Sequence, residues 1–262
     1  MKFRQCSFAG MFYPKDPHHL EQLLGRLFDG ANAPLDAFGI VSPHAGYTYS
    51  GRTAAMAYGA IREEFFGTFV VIGPSHRGYL TCTSQTPWET PLGIVEIDRE
   101  FVNALDIRVD EYSHRNEHSI EVQLPFIKFR YPRARIVPIM MGEQELSAAK
   151  MLAESIAKAA RTVHREIRVV ASSDFSHYIP HEEARRQDLY AIEALKTLDL
   201  PEFYRRLAEE GVSACGYGTI AAMCLACQAL GAKEAKLLSY TTSGEVTGDF
   251  SQVVGYAAIA VI

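Results

Sequence analysis

The 262-residue chain has one tryptophan and five cysteines. An odd cysteine count does not suit a disulfide framework, and free thiols fit a reducing compartment. No apolar run approaches the roughly 18 uncharged residues that a membrane span needs. The first residues, MKFRQC, lack the apolar core of a secretory signal. A cytoplasmic protein with no membrane contact is therefore expected. Excess positive charge is absent too: 26 Lys plus Arg against 31 Asp plus Glu leave a net charge of -5. That balance argues against broad phosphate-backbone binding, so no nucleic-acid partner is expected. The one basic stretch, Lys128, Arg130, Arg133 and Arg135, reads as a solvated helix end. No linker, internal repeat or low-complexity tract interrupts the chain.

What is present is ordinary globular material, 48% hydrophobic and 22% charged, with ample apolar surface for a core. Short β-branched runs alternate with helical stripes. Asp16-Pro17 is a cap followed by a first-turn proline, and Leu20, Leu23, Leu24, Leu27 and Phe28 follow at helical spacing until Gly30 to Pro34 end the helix. Helices are predicted over 51–66, 98–105 (capped by Asp98), 117–131, 146–164, 182–197, 201–211 and 217–230. Strands are predicted over 135–140, 235–240 and 253–261. Residues 80–98 read as a hairpin-like excursion whose loop holds Trp88. Strands alternating with helices predict one α/β domain over residues 1–262, with a largely parallel central sheet flanked by helices.

Three further strands carry the chemistry. Phe38-Gly39-Ile40-Val41 runs into Ser42-Pro43-His44, and Phe69-Val70-Val71-Ile72 into Gly73-Pro74-Ser75-His76. Ile167-Arg168-Val169-Val170-Ala171 runs into Ser172-Ser173-Asp174-Phe175-Ser176-His177. Ligands of open α/β sheets sit outside the carboxyl ends of the strands. Any one of these histidines reads as a turn cap; three at strand ends point to a metal or proton-transfer site. Asp174 fits either a helix cap or a group beside a metal, and His177 fits a general acid/base. Glu117, His118 and Glu121 open the predicted helix at 117. They read either as helix-start chemistry or as carboxylates holding site histidines in one tautomer. Cys215, between Ala214 and Gly216 at a helix start, is expected to have a lowered thiol pKa. Cys224 and Cys227 lie in an apolar helical run and read as core.

These segments together resemble the Memo family, the middle component of the AmmeMemoRadiSam gene grouping. The matching blocks are PHAGYTYSG at 43–51, GPSH at 73–76, NEHSIEVQLPF at 116–126 and SSDFSH at 172–177. ACGYG at 214–218, TSGEVTGD at 242–249 and VVGYAA at 253–258 complete the set, in order along most of the chain. The resemblance implies a fold like that of the class III extradiol dioxygenases. It implies metal ligation by His44, His76 and Cys215, with Asp174 beside the ion and His177 as acid/base. A thiolate in place of the usual carboxylate softens the site, so copper and zinc compete with iron. It also implies AmmeMemoRadiSam companion proteins, or a small-molecule or peptide ligand, as partners. Tyr47, Tyr49, Trp88 and Tyr217 are candidates for the pocket wall.

Three functions follow as expectations. The first is a metal-dependent redox enzyme of dioxygenase type using iron or copper. The second is a metal- or partner-binding protein without turnover. The third is a zinc hydrolase, for which the sequence offers no scissile bond.

Overall fold

The six predicted strands, a short piece of the predicted excursion and one short strand the sequence did not suggest close into a single eight-stranded sheet among the described residues. The computed structural model describes residues 3–31 and 35–262. In chain order its first half comprises α1 (Pro17–Phe28), β1 (Gly39–Ser42), α2 (Tyr47–Tyr58), β2 (Thr68–Pro74), β3 (Cys82–Thr83), β4 (Trp88–Thr90) and β5 (Gly93–Val95). Next come α3 (Arg99–Ala104), α4 (Glu111–His114), a 3₁₀ turn (Glu121–Gln123), α5 (Leu124–Arg130), β6 (Arg135–Met141), α6 (Leu146–Thr162) and β7 (Ile167–Ser172). The chain ends with β8 (His177–Ile179), α7 (His181–Leu195), α8 (Leu200–Glu210), α9 (Tyr217–Ala229), β9 (Ala235–Thr242), α10 (Gly244–Thr247) and β10 (Val253–Val261).

The sheet order is β3-β6-β2-β7-β1-β10-β8, with β9 also paired to β10. The four central strands β6, β2, β7 and β1 run parallel, and β3, β8, β9 and β10 join antiparallel. The result is the expected α/β architecture, a mixed sheet with a parallel centre. Strands β1, β2 and β7 are buried at every position, which suits a sheet covered on both faces. Helix α9 lies so close on β1 that a Cβ at Gly39 would stand 2.6 Å from Cys227 Sγ. Cys224 and Cys227 are core, as their apolar run suggests.

Several boundaries move for physical reasons. Pro34 lies outside the described residues; α1 stops at Phe28. Helix α2 starts at Tyr47 rather than residue 51, because extended Gly46 takes the cap position, and it stops at Tyr58 rather than near residue 66. The predicted helix over 117–131 begins only at Leu124, with Pro125 in its first turn, where a missing N–H is tolerated. Residues 115–120 are irregular, so the helix-face spacing of Glu117, His118 and Glu121 does not exist. In the excursion, Trp88 is in a buried strand paired to Val95, not in a loop. Residues 82–83 leave that hairpin for the edge of the main sheet.

Candidate metal centre

Parallel register brings the carboxyl ends of β1, β2 and β7 together. Ser42 pairs with Ser172, and Ile72 with Ala171. Each strand then delivers one site residue just past its end: His44 after β1, His76 after β2 and Asp174 after β7. The irregular segment before α5 adds His118. The candidate donor atoms of His44, His76 and His118 all lie within 4.8 Å of one another. This imidazole group can hold a metal ion. The His44 ring stands edge-on to both others, at centroid distances of 5.3 Å, while His76 and His118 stack at 4.6 Å.

Hydrogen bonds fix the tautomers. His44 Nδ1 lies 2.9 Å from Ser172 Oγ. That hydroxyl already donates its single proton to the Ser119 carbonyl at 2.6 Å and accepts from Gln123 Nε2 at 2.8 Å. Nδ1 must therefore carry the proton, which leaves a lone pair on Nε2. The Nδ1–H of His76 donates to Glu117 Oε1 at 2.9 Å, and its backbone N–H donates to Glu117 Oε2 at 2.9 Å. Burial opposes ionisation of Glu117, but the hydrogen bond and charge of His76 and the Ser119 N–H outweigh it and hold the carboxyl below the usual range. His118 Nδ1 sits 3.3 Å from the same Oε1. Burial, helped by its neighbouring imidazoles, lowers the His44 pKa well below the ordinary value. Burial also brings His118 down to about 4, against the pull of Glu117. Neutral imidazoles are the form that binds metals.

Cys215 lies just before α9, with its Sγ 3.2 Å from His44 Nε2. Nitrogen and sulfur ligands of one tetrahedral ion stand about 3.5 Å apart, given ~2.0 and ~2.3 Å bonds. Close approach requires glycine next to it: a Cβ at Gly216 would meet the Ser172 carbonyl oxygen at 2.5 Å. The expected lowering of its thiol pKa is not found. Burial, then the nearby Asp174, pushes the thiol up, and no helix-start effect overcomes that without a cation.

Asp174 is not a helix cap. Its Oδ1 accepts the His44 backbone N–H at 2.8 Å, tying the ends of β1 and β7. Burial raises its pKa to about 6, against the hydrogen bond from His44 and the nearby imidazoles. His177 is carried by β8, where its Nδ1 faces the Ser213 carbonyl at 3.0 Å and leaves Nε2 free. Its ring lies within electrostatic range of both His44 and Asp174.

Other expected residues lie elsewhere. Glu121 makes no direct hydrogen bond to an imidazole; its oxygens accept from Arg4, Ser7, Phe8 and Tyr13. Tyr47 is not a pocket wall: it is 3% exposed, packs on Phe126 and donates to the Val122 carbonyl at 2.7 Å. Trp88 is fully buried beneath Arg4. Tyr49 is exposed, and Tyr217 is half-buried against Tyr204. Ser172 and Gln123, which set the His44 tautomer, lie inside quoted motifs, but no local spacing marks their role. Ser213 likewise gave no signal.

A family model described as Memo-like protein matches residues 4–260. The chain belongs to the Memo family. A MEMO1 family protein of Methanosarcina barkeri is 45% identical over 98% of this chain and 99% of its own length. A MEMO1 family protein of Archaeoglobus fulgidus is 43% identical over 98% of both chains. An uncharacterized Escherichia coli K12 protein aligns in structure with a TM-score of 0.45 and 14% identity, covering 75% of this Memo-family chain and 87% of its own. Among the described residues, no helix of this Memo-family chain is long and apolar enough to cross a membrane.

Proposed function

We propose that this Memo-family protein binds a redox-active metal, iron or copper, through Nε2 of His44, Nε2 of His76 and the thiolate of Cys215. The observation that carries this reading is the 3.2 Å approach of Cys215 Sγ to a His44 nitrogen whose proton is held on the opposite side of the ring. Nitrogen and sulfur at that separation match one edge of a coordination shell. A bound cation also supplies what the thiol lacks, a positive charge that favours its ionised form against burial. Mixed imidazole and thiolate donors suit copper, iron and zinc more than magnesium or calcium.

When bound, such an ion supplies electron exchange and Lewis acidity. The chain's own residues supply positioning and proton handling. Glu117 and Ser172 aim the two imidazoles. Asp174, with a pKa lifted toward neutrality, exchanges a proton near the sulfur. His177, its Nδ1–H turned to the Ser213 carbonyl, offers Nε2 as acceptor on the same side. This arrangement supports a dioxygenase-like redox enzyme over passive storage, because two proton-transfer groups flank the donors.

A second reading has His118 as the third ligand. It is favoured by the mutual 4.8 Å spacing of the three imidazoles. Anaerobic titration with Fe(II) and Cu(I) separates the two. The first reading expects Cys215→Ser to lose at least tenfold in affinity while His118→Ala stays near wild type. The reverse order assigns the site to the imidazole trio.

A further inference from the structure

The best-connected buried charge outside the metal centre is Glu121, paired with Arg4 at 2.6 Å; the two side chains are 0% and 6% exposed. Its Oε2 also accepts the Ser7 N–H, and its Oε1 accepts the Phe8 N–H at 2.7 Å and the Tyr13 hydroxyl at 2.8 Å. One carboxylate thus gathers a strap running from residue 4 to residue 13. Arg4 also donates to the segment that precedes the 3₁₀ turn. Nε donates to the His114 carbonyl at 2.7 Å and Nη2 to the Glu117 carbonyl at 2.9 Å. Glu117 is the residue that holds His76. The strap also places Phe12 and Phe8 on the His118 ring, at centroid distances of 4.8 and 5.6 Å.

We propose that Glu121 is a positioning residue for the metal centre, acting through Arg4 and the strap to set where Glu117 and His118 stand. The segment from 115 to 120 has no helix or strand of its own to hold it. A carboxylate with four donors from one strap supplies that rigidity. Replacing it with Gln puts an NH₂ where two donors already point, whichever way the amide turns. The inference rests on the metal-site reading above, and its test has one arm that does not.

In the metal-free protein, Glu121→Gln is expected to shift the ring ¹⁵N resonances of His118 and His76 while leaving His177 in place. Unchanged His118 and His76 resonances would overturn the proposal without touching the metal reading. In the Fe(II) arm, outer partners of ligands are worth about 10–100-fold in affinity, so Glu121→Gln is expected to bind about tenfold more weakly. In a Glu117→Gln background the same change is expected to add less than threefold, because both act on one element. Full additivity would mean a purely structural role and would also overturn it. Arg4→Lys keeps the charge pair but loses the two carbonyl contacts. It is expected to give an intermediate loss, and a wild-type result from it counts against the proposal even if Glu121→Gln folds poorly. A wild-type protein that binds no Fe(II) or Cu(I) would sink the metal reading, and the resonance arm would still decide the role of Glu121.

Discussion

Ser172→Ala is the perturbation that reaches furthest into the metal centre without touching a donor. The hydroxyl is fully buried and makes three hydrogen bonds: to the Ser119 carbonyl, from Gln123 Nε2 and from His44 Nδ1. Gln123 Nε2 retains the Pro43 carbonyl at 2.9 Å, so two buried groups, the Ser119 carbonyl and His44 Nδ1, lose this hydroxyl as partner. At about 1–3 kcal/mol for each unsatisfied group, the variant is expected to unfold about 2–6 kcal/mol more easily in a urea titration. The His44 ring also loses the acceptor that keeps its proton off Nε2. Outer-partner losses of about 10–100-fold in metal affinity correspond to ~1.4–2.7 kcal/mol. Anaerobic titration of folded Ser172→Ala with Fe(II) should show that drop, with stoichiometry retained. Wild-type affinity in a destabilised variant would refute the tautomer argument, because the hydroxyl would then matter only to the fold.

Two further outcomes follow from burial and hydrogen bonding. Burial, reinforced by Arg4, lowers His114 to about 4, below its ordinary value of 6.5. Its contribution to stability is therefore present above pH 6.5 and lost as pH falls toward 4. The shift amounts to about 3 kcal/mol, so chemical denaturation of His114→Leu should show a pH 7 to pH 4 stability difference smaller than wild type by about that much. An identical pH dependence would show that His114 does not stay neutral. Tyr47→Phe removes the buried bond to the Val122 carbonyl and should cost about 1–2 kcal/mol in denaturant with metal affinity unchanged; weakened ligand or metal binding at normal stability would restore Tyr47 to the pocket wall.

The parts of the centre legible in the sequence are those that depend on strand ends. A β-branched run followed by Ser-Pro or Gly-Pro marks to within two residues where the strand stops and where His44 and His76 emerge, because the pairing is parallel and the ends align. Asp174 is legible for the same reason. His177 is displaced from that rule, since the chain has turned away from the end of β7 and His177 opens β8 against β10. The misread residues all lie where a long-range contact overrides local pattern. Glu117 to Glu121 has helical spacing, yet Arg4, more than a hundred positions away in sequence, holds that segment irregular. Tyr47 sits in a site motif but turns inward because α2 begins there and packs on α5. The raised Cys215 thiol follows from burial, which a Gly-rich helix start does not reveal.

The central claim is that sulfur and imidazole share one ion. X-ray absorption at the metal edge of the Fe- or Cu-loaded protein reads the ligand atoms directly. The account predicts one sulfur at about 2.3 Å together with nitrogens near ~2.0 Å. A shell of nitrogen and oxygen alone, unchanged in Cys215→Ser, would contradict it.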